Sequence, residues 1–336
     1  MLDNGILKKY IDELSVTGLT SNPSIFEAAI AKTTDYDEAI TRISGQGLTD
    51  EEVFFSLAVE DIRRAADLFL PVYERTNRLD GFVSIEVSPL LAYDTENTIR
   101  AAKEIHGKVD RPNVFIKIPG TPEGLPAIEM AIAQGIPINV TLLFSAGQYV
   151  AAAEAYLKGI EARLDKGLNP DVRSVASVFV SRWDKAVTAQ LPADLQNRLG
   201  IAEMEKTYRC YLDFLESGRV RKLVNAGVFP QRLLWASTGT KDPAASDILY
   251  VKNLVAPYTV NTMPENTLLA FADHGEPGEP LIGDVEAAEE VIRRIDGYSV
   301  HYGLLAGQLQ KEGAQAFEKS WNNLIRSISD KRKLIK

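Results

Sequence analysis

The sequence predicts an α/β fold, a parallel (β/α)8 TIM barrel, on three observations. Short β-rich runs alternate with longer helical runs; several helical runs open on Asp, Ser or Thr and close near Gly; and one face of strand after strand is polar. The alternation, with short connections, implies a parallel sheet. The capping residues bound the helices. The polar face decides the form of the sheet. A doubly wound sheet carries helices on both faces and keeps both mostly apolar. In a closed barrel, apolar side chains meet the helices and polar ones gather on the axis near the carboxyl ends of the strands.

Residues 4–14 read as a helix that runs into a strand at 16–24, VTGLTSNPS. A helix at 49–76 precedes the second strand, 82–89, where Val83, Ile85 and Val87 oppose Ser84 and Glu86, because alternate side chains of a strand point to opposite faces. A helix at 94–109 precedes the third strand, 114–120, an apolar run in which Lys117 shares a face with Phe115. A helix at 123–135 leads to a strand at 136–145, with Ile138, Val140 and Leu142 opposite Asn139 and Thr141. A helix at 145–167 leads to a strand at 172–182, with Val178 and Val180 opposite Ser177, Phe179 and Ser181. One long helical run, 202–227, precedes strands at 232–239 and 258–264. In the first, Leu234 and Ala236 oppose Trp235 and Ser237; in the second, Val260 opposes Asn261.

These are seven strands where a (β/α)8 barrel has eight. Only Met1, Leu2 and Asp3 stand before the residues that read as the first helix, so the first strand is expected to be missing from the N-terminus. The chain is expected to be a single barrel domain, 1–336, with helices at about 284–330 packed on it. A subunit contact, as in a homodimer, is the other use open to those helices.

Composition narrows the function. A formal net charge of −9 argues against nucleic acid or an anionic membrane as partner, while a local basic pocket can still take an anionic small molecule. No apolar run is long enough to span a membrane. Cys210 is the only cysteine. No intramolecular disulfide can form, and with no signal peptide visible the expected setting is a reducing cytoplasm. Cys210 lies in a run of helical spacing and reads as a packing residue. His106, His274 and His301 are too scattered to suggest a metal site, and His274 reads as a solvated loop residue.

Lys117 is the residue that needs an account. An ammonium is costly in an apolar strand, and burial favours the neutral amine. A neutral amine attacks a carbonyl to form a Schiff base, and the iminium is an electron sink for breaking an adjacent C–C bond. Glu86 is a candidate proton shuttle, directly or through a water. Thr141 could orient that water, and Asn22 and Asn139 could bind substrate hydroxyls. No metal or cofactor is required. The plainer readings are a lysine that snorkels from a rim or pairs with Glu86, and an Asn22 that only forms a turn before Pro23. A second cluster fits a phosphate: Arg182 at a strand end, Ser177 and Ser181 beside it, then Ser237 and Lys241 in ASTGTKDP. An ordinary salt bridge from Arg182 to Asp184 is the alternative.

The motifs GLTSNPSIFEAAI, VSIEVSP, NVFIKIPGTPEGLPAI, GIPINVTLLFS, SVASVFVSRWD, LLWASTGTKDP and VNTMPENTL resemble those of the transaldolases. The resemblance covers residues 1 to about 320. It is closest to a branch of longer transaldolases that also occurs fused to phosphoglucose isomerase; this chain ends in SISDKRKLIK, and no isomerase domain is expected. The resemblance implies a (β/α)8 barrel of the class I aldolase type. It implies transfer of a dihydroxyacetone unit from a ketose phosphate, fructose 6-phosphate or sedoheptulose 7-phosphate, to an aldose phosphate in the pentose phosphate pathway. It also implies residue roles. Lys117 is the Schiff-base lysine, and Glu86 acts through a water held by Thr141. Asn22 and Asn139 bind the dihydroxyacetone hydroxyls. Ser177 and Arg182 bind the phosphate, with Ser237 and Lys241 assisting. The related fructose 6-phosphate aldolases carry Tyr at the position of Phe179, where it favours water-assisted cleavage; a Phe, lacking the hydroxyl, suits transfer over release.

The family also has a first strand bearing an Asp that deprotonates the C4 hydroxyl. Asp3 aligns with the start of the helix that follows that strand and is not assigned this role. Two alternatives follow: a fructose 6-phosphate aldolase-like enzyme, or an impaired protein that binds sugar phosphate without turnover.

Overall fold

A computed structural model describes residues 1–335. Its helices are α1 (Ile6–Glu13), α2 (Pro23–Lys32), α3 (Asp37–Ser44), α4 (Asp50–Arg75), α5 (Thr95–Val109), α6 (Gly124–Ala133), α7 (Ala146–Asp165), α8 (Ser181–Val187), α9 (Leu199–Glu216), α10 (Gly218–Asn225), α11 (Leu249–Asn253), α12 (Glu265–His274), α13 (Val285–Asp296) and α14 (Tyr302–Ile335). The strands are β1 (Leu19–Thr20), β2 (Val83–Glu86), β3 (Val114–Pro119), β4 (Ile138–Leu143), β5 (Ser174–Phe179), β6 (Arg232–Ala236) and β7 (Val260–Asn261). Each lies inside a run that the sequence marks as a strand. The chain forms two compact units, one of residues 1–118 with the chain from 314 onward, the other of residues 119–313.

In the first unit β1, β2 and β3 pair in parallel, with Leu19 opposite Val83, Ile85 opposite Ile116 and Glu86 opposite Lys117. Every residue of β2 and β3 is buried. Thr49 and Glu52 close a capping box at the start of α4, satisfying two otherwise unpaired helix donors. Its apolar stripe, Val53, Phe54, Leu57, Ile62 and Phe69, is buried. Phe54 meets Phe26 and Trp321 edge to face, at 5.3 and 5.1 Å between ring centroids. The buried amide of Asn113 donates to the carbonyls of Ala66 (2.9 Å) and Gly81 (2.8 Å), joining the C-terminal half of α4 to the approach to β2.

In the second unit β4 to β7 pair in parallel, in order. Ser145 and Gln148 form a capping box at the start of α7. Asp184 is buried and accepts the backbone N–H groups of Leu199 (2.8 Å) and Gly200 (3.2 Å) at the first turn of α9, and the hydroxyl of Tyr250 (2.8 Å). A carboxylate there faces the positive end of the helix dipole. Glu203 accepts from the N–H of Ala146 at 3.0 Å and from the hydroxyl of Tyr302.

Several local expectations change. The run 202–227 is two helices, because Ser217 is extended (φ −61°, ψ 142°) and its hydroxyl caps α10 by accepting from Val220. The strand expected at 16–24 shrinks to two residues, because Asn22 and Pro23 start α2, a helix hidden in the β-rich run. Asn as N-cap with Pro at the first helical position is a strong helix start. The segments at α3 and α12 are also helical. His274 is not in the loop but is the last residue of α12; it is exposed, with its ring nitrogens 3.3 Å from Asp273 and 3.0 Å from Asp247. Among the described residues, no helix is long and apolar enough to cross a membrane, and no cluster of His, Cys, Asp and Glu could hold a metal ion.

Candidate active site

The first unit brings Lys117, Glu86 and Ser21 together. Lys117 on β3 and Glu86 at the end of β2 are register partners across adjacent parallel strands. Both are nearly sealed from water, 6% and 5% exposed. The ammonium donates to Glu86 Oε2 at 3.2 Å and to the carbonyl of Ser21 at 3.1 Å. Lys117 therefore pairs with Glu86 and does not snorkel. Burial pushes the Glu86 carboxyl above its ordinary range, and the charge of Lys117 opposes this only in part. Among the described residues, Glu86 Oε1 has no hydrogen-bond partner. Such an atom, buried and unsatisfied, is costly and marks a place where chemistry or a ligand is expected. Ser21 is a site residue that sequence reasoning missed, although it sits in the TSNPS motif. Its hydroxyl donates to the carbonyl of Ser84 at 2.9 Å, which aims its own carbonyl segment at Lys117.

Asn22 caps α2, accepting the N–H of Ile25 at 3.0 Å through Oδ1. Its amide nitrogen remains to donate. Asp3 is exposed and pairs with Arg64, an arrangement that suits a surface ion pair and not an acid/base.

The second unit holds the other candidates. Asn139 and Thr141 are fully buried on β4, and Ser177 is buried on β5. The Ser177 hydroxyl donates to Asn139 Oδ1 at 2.6 Å, which orients the amide. The Thr141 hydroxyl is buried and without a hydrogen-bond partner among the described residues. Thr141 precedes a bulge. Val140 is opposite Ala176, but Leu143 is opposite Val178, so three steps along β4 answer two along β5. Leu142 absorbs the extra residue with φ 58°, a left-handed conformation that costs a residue with a side chain about 1–2 kcal/mol. Bulges of this kind re-aim side chains beside active sites.

Ser237 has the same departure, φ 56°, just past the end of β6. Its carbonyl accepts the N–H of Ser181 at 3.1 Å, and the two hydroxyls share a hydrogen bond of 2.9 Å. Arg182 follows in the first turn of α8, half-buried, its guanidinium carbon 5.2 Å from the centroid of the Phe179 ring. Burial pulls its pKa below the ordinary arginine value, and the charge of Glu312 pulls the other way. Asp184, two residues on, accepts from the backbone of α9 and from Tyr250. Phe179 is buried, tilted against Phe144 at 5.4 Å. Lys241 is exposed in the loop after β6.

The profile of the transaldolase/fructose-6-phosphate aldolase family matches residues 1–328. The chain is 43% identical over 338 residues to a transaldolase of Renibacterium salmoninarum, covering 98% of this chain and 90% of that protein. It is 42% identical to transaldolase 2 of Streptomyces coelicolor, over 97% of this chain and 90% of that one. It is also 42% identical to a transaldolase of Mycolicibacterium smegmatis, over 96% and 90%. The chain belongs to the transaldolase/fructose-6-phosphate aldolase family. It is an enzyme of that family, and likeness over nearly its whole length to proteins named transaldolase assigns it the transaldolase activity.

Proposed function

We propose that this chain transfers a dihydroxyacetone unit between sugar phosphates through a Schiff base on Lys117. The observation that carries the reading is the buried contact of the Lys117 amine with Glu86 at 3.2 Å. A carboxylate whose hold on protons is raised by burial, in contact with the amine, is suited to take the proton that the amine must lose before it attacks. The amine adds to the C2 carbonyl of the ketose phosphate. Water then leaves the carbinolamine, with Glu86 giving and taking protons through a water that the Thr141 hydroxyl orients. As the C3–C4 bond breaks, its electron pair passes into the iminium, the C4 hydroxyl gives its proton to water, and the aldose phosphate departs. The bound enamine then adds to the aldehyde carbon of the acceptor aldose phosphate, whose oxygen takes a proton back from water, and water hydrolyses the new iminium to free Lys117.

Asn22 and Asn139 bind the hydroxyls of the three-carbon unit. The Ser177–Asn139 bond supports this, since it fixes the orientation of the buried amide. Arg182, with Ser177, Ser237 and Lys241, binds the distal phosphate. The left-handed Ser237 and its bond to Ser181, the chain neighbour of Arg182, support a built turn of the kind anion sites use. The setting proposed for this chemistry is the cytoplasm.

The test is borohydride reduction in the presence of fructose 6-phosphate. A reduced dihydroxyacetone adduct on Lys117, absent from Lys117→Ala, is expected. A wild-type chain that binds the sugar phosphate but yields no adduct overturns the reading.

A further inference from the structure

The N-terminal turns of α14 reach the candidate site from far along the sequence, all within the second unit. Tyr302, Ala306 and Gln310 follow one another at four-residue spacing and so share one face of the helix. Tyr302 bonds Glu203, the carbonyl of Ala306 accepts from Gln148 at 3.5 Å, and Gln310 reaches the sheet. The amide nitrogen of Gln310 donates to two backbone carbonyls, those of Gly120 and Leu142, each at 2.9 Å. Gln310 is itself buried. One turn further on, a Cβ at Gly313 would lie 3.0 Å from the Leu142 side chain and 2.9 Å from the Arg182 guanidinium. This face of α14 is thus fitted to the bulge.

The two carbonyls that Gln310 holds bracket Thr141. The N–H of Gly120 donates to the carbonyl of Thr141 itself at 2.7 Å, and Leu142 is the left-handed residue that follows Thr141. A strained backbone persists only where its surroundings over-determine it. The surroundings here include the Gln310 side-chain amide and the Gly120 backbone N–H. We propose that Gln310 is a positioning residue: by tying the Leu142 carbonyl to that of Gly120 it holds the β4 bulge and so the direction of the buried Thr141 hydroxyl.

The assignment rests on the Schiff-base reading and on the role given there to Thr141. The experiment follows adduct formation on Lys117 in the full chain, by borohydride quenching at timed intervals with fructose 6-phosphate. Four proteins are compared: wild type, Gln310→Met, Thr141→Ala and the double variant. Met fills the same space and cannot donate. Gln310→Met is expected to slow adduct formation about tenfold, with the half-saturating sugar phosphate within about twofold of wild type. Added to Thr141→Ala, it is expected to cost less than about twofold, because residues that act through one another are not additive. Equal slowing in both backgrounds means a general structural role and overturns the assignment, as does an unchanged rate in Gln310→Met. If Gln310→Met does not fold, Gln310→Asn, which keeps an amide but loses the reach, is read in the same two backgrounds. A wild-type chain that forms no adduct overturns the Schiff-base reading and this assignment together. When wild type does form the adduct, the behaviour of the variants bears on Gln310 alone.

Discussion

Lys117 and Glu86 face each other across two parallel strands, 3.2 Å apart and almost wholly withdrawn from water. Removing one partner of such a pair leaves the other buried and uncompensated, which is strongly unfavourable. Since desolvating both charges can cost more than their attraction returns, the pair is poor evidence for stability and better evidence for use, because its chemistry is what a Schiff-base lysine needs.

Replacement of Glu86 by Gln keeps the shape and an acceptor for Lys117 but ends proton transfer. Adduct formation with fructose 6-phosphate is expected to slow by about 10²–10⁴-fold, the usual cost of losing a general acid/base. Timed borohydride trapping measures it, and a rate within about threefold of wild type would remove Glu86 from the mechanism.

Arg182 is expected to act on binding more than on chemistry. Arg182→Ala should raise KM for a ketose phosphate roughly 10- to 100-fold, the range of a charge-assisted hydrogen bond to phosphate. Its effect on a ketose without phosphate should be small. Steady-state kinetics on fructose 6-phosphate and on unphosphorylated fructose make the comparison, and equal loss on both would place the phosphate elsewhere.

Phe179, packed on Phe144 and under the Arg182 guanidinium, supplies no proton. Phe179→Tyr introduces a hydroxyl at a position where water-assisted release is expected to benefit. Without an acceptor sugar, free dihydroxyacetone should form about tenfold faster than in wild type, a modest gain for an added proton donor. A coupled assay without acceptor reads it, and unchanged release shows that the ring does not set the balance of transfer and release.

Asp184 makes stability depend on pH. Burial raises its pKa from 3.8 to about 6, against the hydrogen bonds from Tyr250, Gly200 and Leu199 that hold it down. A group whose folded-state pKa is raised binds its proton more tightly when folded. Its contribution is fully present below pH 3.8 and is lost as pH rises through about 6. The stability of wild type relative to Asp184→Asn should therefore shrink, by up to about 3 kcal/mol, between about pH 4 and pH 7. Denaturant unfolding at several pH values measures this, and a constant difference would show that Asp184 does not titrate in that window.

The strands were the most legible part of the fold, and the reason is physical. Alternating polar and apolar side chains write the strand period directly into residues 83–87 and 138–142. The break at Ser217 was less visible, since a Ser-Gly pair inside a good apolar stripe tips to a cap only when tertiary packing favours it. The short helix after Asn22 was hidden inside a β-rich motif, though its Asn-Pro start is a clear local signal. In the candidate site, the nearness of Lys117 to Glu86 was readable because both lie on adjacent strands at matching height. The Leu142 bulge was not. Leucine does not favour φ 58°, and what holds it is an amide 168 residues further along the chain. No local pattern carries a contact of that span.

The cap on α2 has an implication for what position 22 can tolerate. The side-chain oxygen of Asn22 is occupied by the helix start, while the role proposed for it asks the nitrogen of the same amide to meet a sugar hydroxyl. Aspartate, serine or threonine would satisfy the helix and offer no matching nitrogen; lysine would offer a nitrogen and abandon the helix. Glutamine has both atoms on a longer arm. Only asparagine serves folding and recognition at once from so short a reach, so a single short side chain carries two independent requirements and leaves drift at this position almost nowhere to go.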